Sequence, residues 1–305
     1  MIYIELNGRI GNHLFQIATA ASFAKKHGVD YKVVCHDGYK LAPPDNCYVK
    51  DYIEQFRSNI LRNIPIQVGR PSTDCFYYYD IDYVYREIPF EGRDMLLYGA
   101  FQSEKYFDKP LVKELFSIPA DIKEYIYSKF GTILDQGVTS INVRRGDYTK
   151  LPHRYAVCSM SYFNKAIDYL GRDKKYLIIS DDIEWCKKHF KGDNFFFVDD
   201  EEPIIDLYIQ TLCTNNIISN STFSWWGAWL NPNPDNVVVC PNPWFGKSYD
   251  NYDTKDLIPE SWVQIENKLS WDLQILATYL ITKEKIQSLM PKSWKERVKK
   301  ILKNR

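Results

Sequence analysis

Ser140-Ile141-Asn142-Val143-Arg144-Arg145-Gly146-Asp147-Tyr148 is the stretch from which the chain is best read. Ile141 to Val143 is a short apolar run with the length of a buried strand. It stops at two arginines, a glycine and an aspartate. Guanidinium groups are permanently charged forks whose geometry matches phosphate oxygens. The carboxyl ends of strands are where open α/β sheets bind ligands. Gly146 permits a sharp turn of the backbone, and Asp147 sets a carboxylate beside the two cations. The stretch suits a diphosphate leaving group held next to an acid or base. A surface salt-bridge cluster fits the same residues, so the rest of the chain has to decide between them.

Downstream, the hydrophobic pattern alternates regularly. A strand over 138–143 is followed by a helix over 160–170, with Phe163, Ala166, Ile167 and Leu170 on one face. A strand over 176–180 runs into Asp181-Asp182 and a helix over 183–190. A third strand, 195–198, ends at Asp199, with a helix over 203–214 behind it that opens on Pro203, where a missing N–H costs nothing. Strand 216–219 meets Asn220-Ser221-Thr222-Phe223, a hydroxyl-rich helix start, and 237–240 closes the series. Strands alternating with helices predict a parallel sheet covered on both faces, with polar residues gathered on its ligand-binding edge.

Upstream, a strand over 2–6 leads through Asn7-Gly8-Arg9-Ile10-Gly11-Asn12 into a helix to about residue 26, and a second strand covers 31–35. Glycines in such a turn allow a ligand close to the backbone, and the helix start offers unpaired N–H groups. A tight turn with no ligand fits these residues equally. Residues 40–120 are harder to read because seven prolines interrupt every pattern. The aromatic stretch Tyr77 to Tyr85 suits an edge strand or an acceptor-facing loop. It contains Asp80-Ile81-Asp82, a D-x-D triplet of a kind that holds a divalent metal in some sugar transferases.

The chain has 305 residues, 39 basic and 39 acidic, so no overall field argues for nucleic acid. Nothing approaches 18 consecutive apolar residues, the minimum for a membrane-spanning helix. Seven cysteines without metal-binding spacing read as reduced thiols, which predicts a cytoplasmic protein. Aromatic residues make up 15%, enough to stack on sugars or to fill a core.

Arg144, Arg145, Asp181, Asp199 and the Ser221-Thr222 helix start all fall on one sheet edge. Asp181, Asp199 and Ser221 also suit helix caps. Together, hydroxyls and N–H groups opposite two arginines form a pyrophosphate clamp that needs no metal. Gly8 to Gln16, Val143 to Tyr148, Ser180-Asp181-Asp182 and Ser219 to Gly227 resemble, in order, the motifs of the α-1,2-fucosyltransferases, glycosyltransferase family 11. The resemblance covers about residues 1–265. It implies two facing Rossmann-like domains, GDP-β-L-fucose as donor, a galactose hydroxyl as acceptor, inversion at the anomeric carbon and no metal or other cofactor. The implied division is an acceptor-side domain over 1–135, a GDP-sugar-binding domain over 136–265 and a basic helical tail over 266–305. Catalytic roles fall to Arg144 and Arg145 as cations, Asp147 as base or arginine brace, and Asn12 across the cleft. Donor binding falls to Gly11, Asn142, Asp181, Asp199, Asn220, Ser221, Thr222 and Phe223. Two residues depart from the family pattern: Asn142 stands where His is usual, and His13 where Gln is usual. A metal-dependent transferase built on Asp80 and Asp82, and a non-catalytic carbohydrate-binding protein, are the competing readings.

Residues 283–305 hold nine Lys or Arg against two Glu. A helix over 270–281 is expected to pack back on the body. Trp294, Val298, Ile301 and Leu302 then recur at helical spacing among basic residues, so 292–305 suits either peripheral contact with an anionic membrane or a docked structural tail.

Overall fold

The computed structural model describes residues 1–290 except 37, 43–44 and 72–73. The stretch 292–305 lies outside the described residues.

The first half is built on β1 (Ile2–Glu5), α1 (Ile10–His27), β2 (Tyr31–Cys35), α2 (Val49–Glu54), β3 (Ile66–Val68), β4 (Phe76–Tyr79) and β5 (Met95–Tyr98). Its strands pair in parallel in the order β3-β2-β1-β5-β4. The tyrosine-rich stretch is thus split: β4 is the edge strand, and a loop follows it. Two helices, α3 (Lys109–Leu115) and α4 (Ala120–Leu134), lead into the second half. There β6 (Thr139–Val143), α5 (Met160–Leu170), β7 (Tyr176–Ser180), α6 (Ile183–His189), β8 (Phe195–Phe197), α7 (Pro203–Leu212), β9 (Asn215–Ile217), α8 (Thr222–Trp229), β10 (Val238–Asn242) and β11 (Val263–Glu266) alternate. These strands also run parallel, in the order β11-β10-β9-β6-β7-β8. The expected pair of facing α/β units is what the chain forms. The order reverses between β6 and β9, so a crevice opens there beyond the strand ends.

The halves share one core. The residues of α1 are buried almost without interruption from Ile10 to Ala24, not along a single stripe, because α1 is packed between its own sheet and α8. The Phe15 ring lies 4.5 Å from Trp225 and 4.9 Å from Trp226, and Phe107 stacks on Trp226 at 5.3 Å. Aromatic pairs of this geometry add about 0.5–1.5 kcal/mol each beyond their buried area. The Trp226 indole N–H donates to the Gly11 carbonyl at 2.9 Å, fixing the start of α1 against α8.

The last described helix, α9 (Trp271–Leu289), runs eight residues past the expected end at 281. It lies on the body through Leu273 and Ala277 and through Glu284, which accepts from Arg154 at 2.7 Å and pairs with His153 at 3.1 Å. All seven cysteines are free thiols, six of them buried.

Candidate active site

Arg144 leaves the end of β6 at the switch point. Its backbone N–H donates to Ser219 Oγ at 3.0 Å, and that hydroxyl donates to the Asn142 carbonyl at 2.8 Å. The two strands are thus stitched where their order reverses. The Arg144 guanidinium meets Asp147 at 2.6 Å and Asp181 at 3.0 Å, with its carbon 5.2 Å above the Tyr148 ring. Burial works against its charge, but Asp181, Tyr148 and Asp147 more than offset that and raise its pKa. Two of five N–H donors serve these carboxylates, so the others can reach a ligand.

Asp147 spends both oxygens on cations. One accepts from Arg144, and the other accepts from Arg9 of the first half at 3.3 Å. Arg9 also pairs with Asp45, and this pairing keeps its pKa raised despite burial. Asp147 therefore sits as a brace that links the two halves across the crevice. Asp181 is committed in the same way: it accepts the Arg145 backbone N–H at 2.8 Å and pairs with Arg144. The helix cap expected of Asp181 belongs instead to Asp182, which accepts from the Trp185 N–H at 3.3 Å.

Gly146 is needed for space, not for a left-handed turn. A Cβ there would lie 2.4 Å from an Asp181 carboxylate oxygen, so any side chain would push the brace away from Arg144. Gly11 shows the same logic across the halves. Its Cβ would fall 2.5 Å from Thr222 Oγ1 and 2.6 Å from the Phe223 nitrogen. The close approach made by that glycine in the fold is to the start of α8.

Asn12 stands at that junction. Its side-chain oxygen accepts from Thr222 Oγ1 at 3.0 Å and from Gln102 at 3.1 Å. Ser221 caps α8, accepting from the Phe223 N–H at 3.3 Å. Asn220 is buried, and its amide donates to the Trp244 carbonyl at 2.8 Å. Asn142 is buried on β6 and Phe223 half-buried against the shared core. Asp199 lies farther out, beyond the edge strand β8, paired with Lys187 at 2.5 Å. The crevice thus gathers Arg144, Asp147, Asp181, Asn12, Ser221 and Thr222, and leaves Asp199 at the periphery.

Sequence reading missed two residues. Arg9 was passed over because it lies 135 positions before Arg144 and only the fold brings them together. The other is Trp185. The Arg145 guanidinium lies 3.9 Å from the Trp185 ring, its Nε donates to Asp182 at 3.1 Å, and His189 stacks on the indole at 4.0 Å. The helical spacing of Asp182, Trp185 and His189 was the available signal.

Asp80 and Asp82 are each engaged by other partners. Asp80 accepts from the Phe101 N–H at 2.7 Å and from Tyr106, and burial raises its carboxyl to about 6. Asp82 forks with Arg86 at 2.6 Å on each oxygen. Among the described residues, no group of three or more acidic, histidine or cysteine side chains is placed to hold a metal.

The model for glycosyl transferase family 11 matches residues 1–266 of this two-sheet chain and defines it as a glycosyltransferase. The chain belongs to glycosyl transferase family 11. It is 34% identical over 186 residues to the O-antigen biosynthesis glycosyltransferase WbnK of Escherichia coli, covering 55% of this chain and 60% of that one. An alpha-1,2-colitosyltransferase of Escherichia coli is 27% identical over 292 residues, covering 87% of this chain and 99% of that one. Galactoside alpha-(1,2)-fucosyltransferase 1 of Leontocebus fuscicollis is 33% identical over 101 residues, 30% of this chain and 28% of that one. Among solved structures, NodZ alpha-1,6-fucosyltransferase soaked with GDP-fucose matches with a TM-score of 0.49 and 15% identity, covering 76% of this chain and 92% of that one.

Proposed function

We propose that the protein transfers L-fucose from GDP-β-L-fucose to the 2-hydroxyl of a galactose-type acceptor, with inversion and without a metal. The observation that carries this reading is Arg144, clamped by two carboxylates at the switch point beside the start of α8. As the C1–O bond breaks, negative charge grows on the diphosphate, and a fixed guanidinium stabilises it more than it stabilises the ground state. Arg145 adds a second cation, with Trp185 and Asp182 fixing its plane. Ser221, Thr222 and the first N–H groups of α8 complete the phosphate site. Asn12 and Gly11 hold the first half against it, and Asn142, Asn220 and Asp181 shape the donor pocket from behind. The sugar departs with oxocarbenium character, so a weakly activated acceptor hydroxyl suffices. Asp147 acts as a brace. Inversion follows from direct displacement, because the two carboxylates beside Arg144, Asp147 and Asp181, are both committed to arginine contacts.

For the acceptor, the reading points to the aromatic wall beside Arg144. Tyr148 stacks on Tyr155 at 4.0 Å, and Tyr83 of the first half packs on Phe245 at 4.7 Å and Tyr252 at 5.3 Å. Such rings take the apolar face of a pyranose while their hydroxyls meet its polar rim.

A second reading keeps the mechanism and changes the sugar. The relative aligned over nearly its whole length is named for colitose, which is fucose without its 3-hydroxyl, so GDP-colitose is the competing donor. Nucleoside-diphosphate release, GDP from GDP-fucose, GDP-colitose and GDP-mannose and UDP from UDP-galactose, each with and without lactose, tests both. Lactose-dependent release from GDP-fucose alone supports the first reading, and preference for GDP-colitose supports the second. Lactose binding without release from any donor would leave a carbohydrate-binding protein.

A further inference from the structure

α9 carries apolar side chains on both of its faces. Leu273, Leu276, Ala277, Leu280, Ile281 and Glu284 recur at three- and four-residue steps and face the body, buried or half-buried. A helix's opposite face normally carries its charges. Here Trp271, Ile275, Tyr279, Ile286 and Leu289 recur on that outer face, exposed by 76%, 56%, 59%, 56% and 77%. Single exposed apolar side chains need no explanation, but a stripe along a 19-residue helix does.

Charge decides between occupants. From Lys283 to the chain end, nine basic residues face two acidic ones, while the preceding sequence is acidic on balance. Two copies joined through this stripe would bring two basic segments together. An anionic lipid surface attracts them instead, at about 1 kcal/mol per basic residue. Trp and Tyr are also the side chains that settle at the level of lipid headgroups. Among the described residues, no helix is long and apolar enough to cross a membrane, so the contact is one of lying on the surface.

We infer that the outer face of α9 is a docking surface for anionic membranes, with the basic sequence after it supplying the attraction. The placement has a consequence for the transferase. Glu284 ties α9 to Arg154, the neighbour of Tyr155 in the aromatic wall. Docking α9 therefore holds that wall beside the lipid surface, where acceptors carried on lipids are presented.

The test is co-sedimentation of the full-length protein with phosphatidylcholine vesicles, with and without phosphatidylglycerol, comparing the wild type with an Ile275→Ser/Tyr279→Ser double variant. The expected result is binding to the anionic vesicles only, weakened by salt, and reduced at least about tenfold in the double variant through lost apolar burial. GDP affinity and melting temperature should match the wild type, which separates a lost docking face from a damaged fold. Wild-type protein that ignores anionic vesicles at low salt overturns the inference. So does a double variant that binds as well as the wild type, or one whose main change is loss of a dimer in sedimentation equilibrium.

Discussion

The charge of Arg144 and the position of its brace are separable by single substitutions. Asp147→Asn keeps one acceptor oxygen but removes the charge that holds Arg144 and Arg9 together. As a brace, it should lose GDP affinity by about tenfold together with kcat, since a charge-assisted bond contributes about 1.5–3 kcal/mol. A fall in kcat with unchanged calorimetric GDP affinity would make Asp147 the base. Trp185 gives the parallel test for Arg145. Trp185→Ala should raise the donor KM several-fold with little change in kcat, and Trp185→Phe should restore most of it, because a phenyl face still stacks on guanidinium. Failure of Phe to rescue would mean that the indole serves the fold and not the arginine. At this scale the sequence reveals residue types but not commitments. Arg-Arg-Gly-Asp announces cations and a carboxylate, yet nothing in it says that both Asp147 oxygens are taken, or that Asp181 turns to Arg145 while Asp182 caps the helix.

Among the elements, those with a regular apolar rhythm were legible and those defined by long-range pairing were not. α5 falls at 160–170 as its pattern predicts, and β2 and β7 fall at 31–35 and 176–180. β5 escaped notice although it pairs with β1 at the centre of its sheet, because four residues between turns carry too little pattern to separate strand from loop. α1 is buried on almost every side, which its own stretch of sequence does not announce, since its second partner, α8, lies about two hundred residues away. That contact is open to test. Gly11→Ala puts a methyl group within 2.5 Å of Thr222 Oγ1 and against the α8 backbone, so it should destabilise by about 2 kcal/mol or more. The expected result is a melting temperature lower by several degrees and weaker GDP binding, because the same junction carries Asn12. An unchanged melting temperature would mean that the two helix starts do not meet this closely.

For the molecule as a whole, the two α/β halves were foreseeable from alternation and motif order, while their single shared core was not. The first half's aspartates mark the boundary between competing mechanisms. Asp80 titrates near 6 in the folded protein, chiefly through burial, against an ordinary value of 3.8. With the folded value raised, stability from its protonated form is complete below about pH 4 and is lost as pH rises to about 6. Asp80→Asn retains an acceptor for the Phe101 N–H without the buried charge. It should therefore melt as the wild type does near pH 4 and a few degrees higher at pH 8, with activity that persists in EDTA. Loss of activity in this variant, and in wild type treated with EDTA, would restore the metal-dependent mechanism.

The central claim is that Arg144 stabilises a departing GDP when fucose is transferred. Its most direct test is lactose-dependent GDP release from GDP-fucose by wild type and Arg144→Lys, measured in EDTA with both proteins shown to melt alike. Lysine keeps the charge but cannot span Asp147, Asp181 and a phosphate at once. The account predicts release by the wild type and a fall in kcat of about 10²–10³ in the variant. Near-normal kcat/KM in Arg144→Lys would contradict it.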